Sequence, residues 1–138
     1  MPHPTYCDRI SSKRSKEIYS SIYKTLQKGK YYRDPKFTAK QLSTLTNINT
    51  RYIAAVVQLL TNSNFNDLLN SFRLKEAEQM LLTHPEFSVE EIALMSGFGS
   101  RQSFYRVFLK QYGVTPRQFR VQHNRDEKLP TDASSTHS

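Results

Sequence analysis

Apolar residues recur along this chain at steps of three and four, the period of a helix with one buried face. Between Ser15 and Lys28 the stripe is Ile18, Ile22, Tyr23 and Leu26, which predicts an amphipathic helix closed by Gly29, with Tyr31 to Pro35 as a connection. A longer helix is predicted over 65–83, with Phe65, Leu68, Leu69, Phe72, Ala77, Met80 and Leu81 inward, Asn64 as its cap and His84-Pro85 as its stop. Shorter helices carry Leu42 and Leu45; Ile53, Val56, Val57 and Leu60; Ile92, Ala93 and Met95; and Phe104, Val107 and Phe108. A final helix over 116–122 opens on Thr115-Pro116, a cap followed by a proline whose missing N–H costs little there. No run alternates like a strand. The ends, 1–14 and 124–138, carry prolines, charge and hydroxyls with few apolar residues, and are expected to be a flexible N-terminus and a disordered tail.

The pattern occurs twice. Thr38, Gln41, Leu42, Ser43 and Ile48 match Ser88, Glu91, Ile92, Ala93 and Phe98, each 50 positions on. After one extra residue in the second turn, Asn49, Ile53 and Val57 match Ser100, Phe104 and Phe108. Thr38 with Gln41, and Ser88 with Glu91, have the spacing of a capping box. Asn49 and Ser100 can each cap the helix that follows, and Asn62 stands where the next turn needs a left-handed residue. Each copy is a capped helix, a tight turn and a second capped helix, the order of a helix-turn-helix.

Charge fits a polyanionic partner. Twenty Lys and Arg against 12 Asp and Glu leave a net charge of +8 over 138 residues, a length that by itself suggests one domain. Cys7 is the single cysteine, so no intrachain disulfide can form, and a cytoplasmic protein is expected. No apolar run approaches the roughly 18 residues of a membrane span, and no signal-peptide stretch opens the chain. His3, His84, His123 and His137 are scattered without metal-ligand spacing. Gly97-Phe98-Gly99 is too short for a phosphate-cradling loop and follows a helix, and Glu90-Glu91 suits a helix start without any catalytic partner. No cofactor, metal site or enzyme activity is expected.

The segment Glu91-Ile92-Ala93, Gly97 to Phe108, Gly113-Val114-Thr115-Pro116 and Phe119-Arg120 resembles the signature of the DNA-binding domain of AraC/XylS-family transcription regulators. Asn64-Phe65-Asn66, Asn70, Phe72-Arg73 and Glu76-Ala77 resemble the linker-helix region of the same family. The likeness covers about residues 16–122. It implies an all-α, homeodomain-like fold of about seven helices. Two helix-turn-helix subdomains, 38–61 and 88–112, would be joined by the linker helix within a DNA-binding domain spanning 15–123. It further implies double-stranded DNA as the partner, two recognition helices entering successive major-groove segments, and transcription regulation as the role. It allows RNA polymerase as a protein partner. It also allows a sensing or dimerisation domain, should the chain be part of a longer one. A basic all-helical adaptor for an acidic protein is the alternative; such an adaptor would enrich no DNA sequence.

Gln102 and Arg106 lie four apart, nearly opposite the face of Phe104, Val107 and Phe108, with Ser103 at the flank and Arg101 near the helix start. The family's base-contacting positions coincide with Arg101, Gln102, Ser103 and Arg106. Glutamine can pair bidentately with adenine and arginine with guanine, each for roughly 1–3 kcal/mol of discrimination. In the first copy Arg51 and Ala55 are expected to point out as the base-facing pair, with Tyr52 and Ala54 at the sides. Alanine makes no hydrogen-bonded base contact, so the second copy is expected to dominate sequence choice while Thr50, Arg51 and Tyr52 grip the backbone. Lys40, Lys110, Arg117 and the helix start at Thr115 are further candidates for phosphate. Arg73 and Glu76 are expected to be structural, and Phe98 a core plug.

Overall fold

The computed structural model describes residues 11–124. The expectations for Cys7, His3, His137 and nearly all of both ends lie outside these residues. Where they overlap, the boundary moves. Ser11 caps the first helix by accepting from the Arg14 N–H, so 12–14 are helical rather than loose. Residue 124 continues the last helix.

Seven α-helices and one short 3-10 turn make up the described residues, with no strand. They are α1 (Ser12–Gly29), the turn Tyr31–Arg33, α2 (Ala39–Thr46), α3 (Thr50–Thr61), α4 (Phe65–Thr83), α5 (Val89–Met95), α6 (Arg101–Tyr112) and α7 (116–124). The chain divides into two compact units, one ending at Arg73 and one starting at Leu74. The first has its own core of Ile22, Leu26, Leu42, Ile53, Val56 and Leu69, among others. The second is built on Leu81, Ile92, Phe104, Phe108 and Phe119. Helix α4 supplies residues to both cores, Leu68 and Leu69 to the first and Leu74, Ala77 and Leu81 to the second. Phe65, Phe72 and Met80 are only partly buried against them.

Local hydrogen bonds set the helix ends. In both capping boxes the side chain of Thr38 or Ser88 accepts from the backbone N–H three residues on, and Gln41 or Glu91 accepts in return. Thr115 and Gln118 form a third, at the start of α7. Asn49, Asn64 and Ser100 cap α3, α4 and α6. The repeat also reaches the turns. Thr46 Oγ1 donates to the Leu42 carbonyl at 2.8 Å, and Ser96 Oγ to the Ile92 carbonyl at 2.7 Å. The next residue has positive φ in both copies, Asn47 at 58° and Gly97 at 106°. The wider angle at Gly97 needs a residue without a Cβ.

Three details depart from the periodic reading. Gly29 stays inside α1 and Lys30 takes the left-handed cap at φ 53°. A Cβ at position 29 would run into the Tyr31 ring, so the glycine serves close approach rather than the stop. Leu45 and Met95, equivalent apolar positions of the two copies, are exposed. Leu60, expected to face inward, is exposed at the end of α3.

One arginine in each unit ties a distant connection. Arg73 is 5% exposed; its Nε donates to the Tyr32 carbonyl, Nη2 to the Asp34 carbonyl and Nη1 to Asn70 Oδ1. Arg120 donates through Nε to the Leu81 carbonyl, Nη1 to the Phe87 carbonyl and Nη2 to the His84 carbonyl. In each case the guanidinium of the unit's last helical segment fastens the loop before its helix-turn-helix.

Candidate nucleic-acid interface

In the second unit α6 is anchored by Phe104 and Phe108, both completely buried and in edge-to-face contact with centroids 5.6 Å apart. Phe98, 3% exposed in the turn, packs on Phe104 at 5.0 Å. A helix fixed on one side by large rings presents the opposite side in a defined rotation. That side carries Gln102 and Arg106, both exposed, with Lys110 exposed one turn beyond Arg106. The Arg106 side chain has no hydrogen-bond or ion-pair partner among the described residues. Ser103 is half-buried, and its backbone N–H is held by the Ser100 cap.

Arg101 is placed differently. It is exposed, but its Nε donates to Glu90 Oε2 at 2.9 Å and its guanidinium carbon lies 4.6 Å from the Tyr105 ring centroid. From its position alone Glu90 suits a helix start and nothing more. Its own backbone N–H first, and then the Arg101 guanidinium, hold its carboxyl below the usual carboxylate range. Sequence gives no cue for this pair, which joins positions 11 apart across a turn. Tyr105 packs sideways, edge-on to Phe104. Arg117 is exposed on α7, while Thr115 is half-buried with its hydroxyl engaged in the cap.

In the first unit Thr50, Arg51 and Tyr52 are exposed in the first turn of α3, and Lys40 is exposed on α2. Ala55 offers little accessible surface. It is 9% exposed, and Ala54 is the exposed alanine of the pair. A methyl group ends close to the helix backbone, well short of the reach of longer side chains on the same helix. Facing away from the main core therefore does not give Ala55 an accessible surface. The exposed side of α3 is lined by Arg51, Ala54 and Gln58, while Ala55, expected beside Arg51 as base-facing, is largely covered.

No helix among the described residues is long and apolar enough to cross a membrane. A family model described as a helix-turn-helix domain matches residues 42–122. The transcriptional activator CfaD of Escherichia coli is 43% identical over 58 residues, 42% of this chain and 22% of CfaD, so the match spans about a fifth of that relative. Among solved structures, the C-terminal domain of the two-component response regulator YesN from Fusobacterium nucleatum aligns at TM-score 0.65 and 29% identity. That alignment covers 75% of this chain and 98% of that one. The DNA-binding domain of AdpA, solved in complex with a target DNA, aligns at TM-score 0.66 and 22% identity over 78% of this chain and 93% of that one, a likeness of fold. The chain belongs to the helix-turn-helix family, as a DNA-binding domain of the AraC/XylS type.

Proposed function

We propose that the chain binds double-stranded DNA at a preferred sequence and thereby regulates transcription, with α3 and α6 entering successive major-groove segments of one duplex. The observation that carries this reading is the outer side of α6. Gln102 and Arg106 stand exposed there, over a pair of completely buried phenylalanines that fix the helix rotation. Those two side chains have the donors and acceptors to pair with adenine and guanine edges, and Ser103 and Arg101 flank them. On α3 the positions that match Gln102 and Arg106 hold Arg51 and Ala55, and an alanine offers no more than a methyl contact. Sequence choice is therefore concentrated in the second unit. Thr50, Tyr52, Lys40, Lys110, Arg117 and the helix start at Thr115 hold the phosphates and set register.

The name of CfaD, a transcriptional activator, supports activation as the outcome, with RNA polymerase as the protein partner. The match to only a fifth of that relative's length is compatible with a sensing or dimerisation domain, should this chain be part of a longer one. Selection of bound duplexes from a random pool tests the reading, with wild type and Arg106→Ala compared. Enrichment of one motif by wild type, with loss of preference at one or two positions in the variant, is the expected result. No enrichment by either protein would overturn it in favour of a basic adaptor.

A further inference from the structure

Two neighbouring carboxylates at the start of α5 have separate duties. Glu91 Oε1 accepts from the Ser88 N–H in the capping box, whereas Glu90 accepts from Arg101. Arg101 is the first residue of α6, where a positive charge meets the positive end of the helix dipole. Glu90 offsets that charge, and the Tyr105 ring supports the guanidinium one helical turn on. A cation paired in this way contributes little to a general attraction for phosphate. To reach DNA it must leave the carboxylate, and Glu90 then faces a polyanion alone. A single phosphate repays this poorly, whereas the paired acceptors of a guanine edge match the guanidinium fork.

We propose that Glu90 is a positioning residue that sets DNA specificity through Arg101, keeping that arginine from non-specific contacts and releasing it only to a fitting base. This rests on the reading of α6 as a recognition helix. The pair is half-exposed, with side-chain exposures of 58% for Arg101 and 45% for Glu90, so the expected effect is modest.

The test uses the full chain as wild type, E90Q, E90D, R101A and E90Q/R101A. Each is titrated against a duplex recovered by selection and against a scrambled duplex of equal length, over a range of salt concentrations. E90Q is expected to tighten binding to the scrambled duplex by about two- to fivefold, and to the selected duplex by less, so that the ratio of affinities falls. The salt slope on the scrambled duplex should steepen by about 0.9, the release of one further counterion. E90D, which keeps the charge, should restore most of the ratio. In the R101A background the glutamine substitution should leave the ratio nearly unchanged. An unaltered ratio in E90Q overturns the role of Glu90, as does an equal change with and without Arg101, which would mark a general charge effect. R101A without effect on either duplex would instead refute the placement of Arg101 at the interface, and the proposal with it.

Discussion

Arg73 Nε donates to the carbonyl oxygen of Tyr32 at 2.6 Å, joining positions 41 residues apart. The same guanidinium also satisfies the Asp34 carbonyl and the Asn70 side chain, and burial pulls its pKa below the usual arginine value. Arg73→Met would leave two carbonyls without their donors. The expected cost is about 2–4 kcal/mol of stability, measured as a lower midpoint in urea unfolding. Arg73→Lys should recover little, because one ammonium cannot reproduce the fork.

Gln102→Ala and Arg106→Ala should leave the urea midpoint within error, since both side chains are exposed. Each should remove about 1–3 kcal/mol of discrimination at its own base pair, read from titrations against single-base operator variants. A uniform loss across all variants would reassign the residue to phosphate contact.

The two alanines of α3 should behave differently. Ala54→Gln adds an amide to an exposed position and should change base preference within one half-site while stability holds. Ala55→Gln forces a larger polar group into a site 9% exposed and should cost about 1–3 kcal/mol of stability. Unfolding and duplex selection on the same two variants check both outcomes.

Tyr112 provides a test at alkaline pH. Its hydroxyl donates to Glu78, and burial first, then that carboxylate, raise the phenol above its ordinary 10.0. The folded state therefore holds the phenol proton more tightly than the unfolded chain does. This stabilisation is complete below about pH 10 and is lost progressively as pH rises through the folded value. Tyr112→Phe removes the contribution. The difference in urea midpoint between wild type and variant should hold up to about pH 10 and shrink progressively above it.

Ser88→Ala and Thr38→Ala each remove one half of a capping box and should cost about 1 kcal/mol apiece. The effects should add, because the two boxes belong to different units, and a double variant in the same unfolding assay checks this.

What could be read from the sequence was local. A hydroxyl followed three residues later by Gln or Glu marks a capping box because both bonds close within one turn, as at Thr38 and Ser88. The 50-residue repetition showed which helices correspond. The rings of Phe104 and Phe108 were legible because their spacing fixes one helix face. The remainder depends on partners far along the chain or on side-chain size. Nothing local to Arg73 or Arg120 names the carbonyls they bind, 33 to 41 residues away. Periodicity assigns a direction to Ala55 and Leu60 but not the height of their surroundings, so one is covered and the other bare. The tie between Arg101 and Glu90 crosses a turn whose path had to be known first.

The two arginine fastenings bear on how the protein is made. Each guanidinium emerges after the loop it secures, Arg73 by 39 to 41 residues and Arg120 by 33 to 39. During synthesis the first unit is therefore expected to close once residue 73 has left the exit tunnel, and the second only after residue 120. A nascent chain stalled between those points would then expose a protease-sensitive second unit while the first resists cleavage, an expectation that limited proteolysis of stalled chains checks.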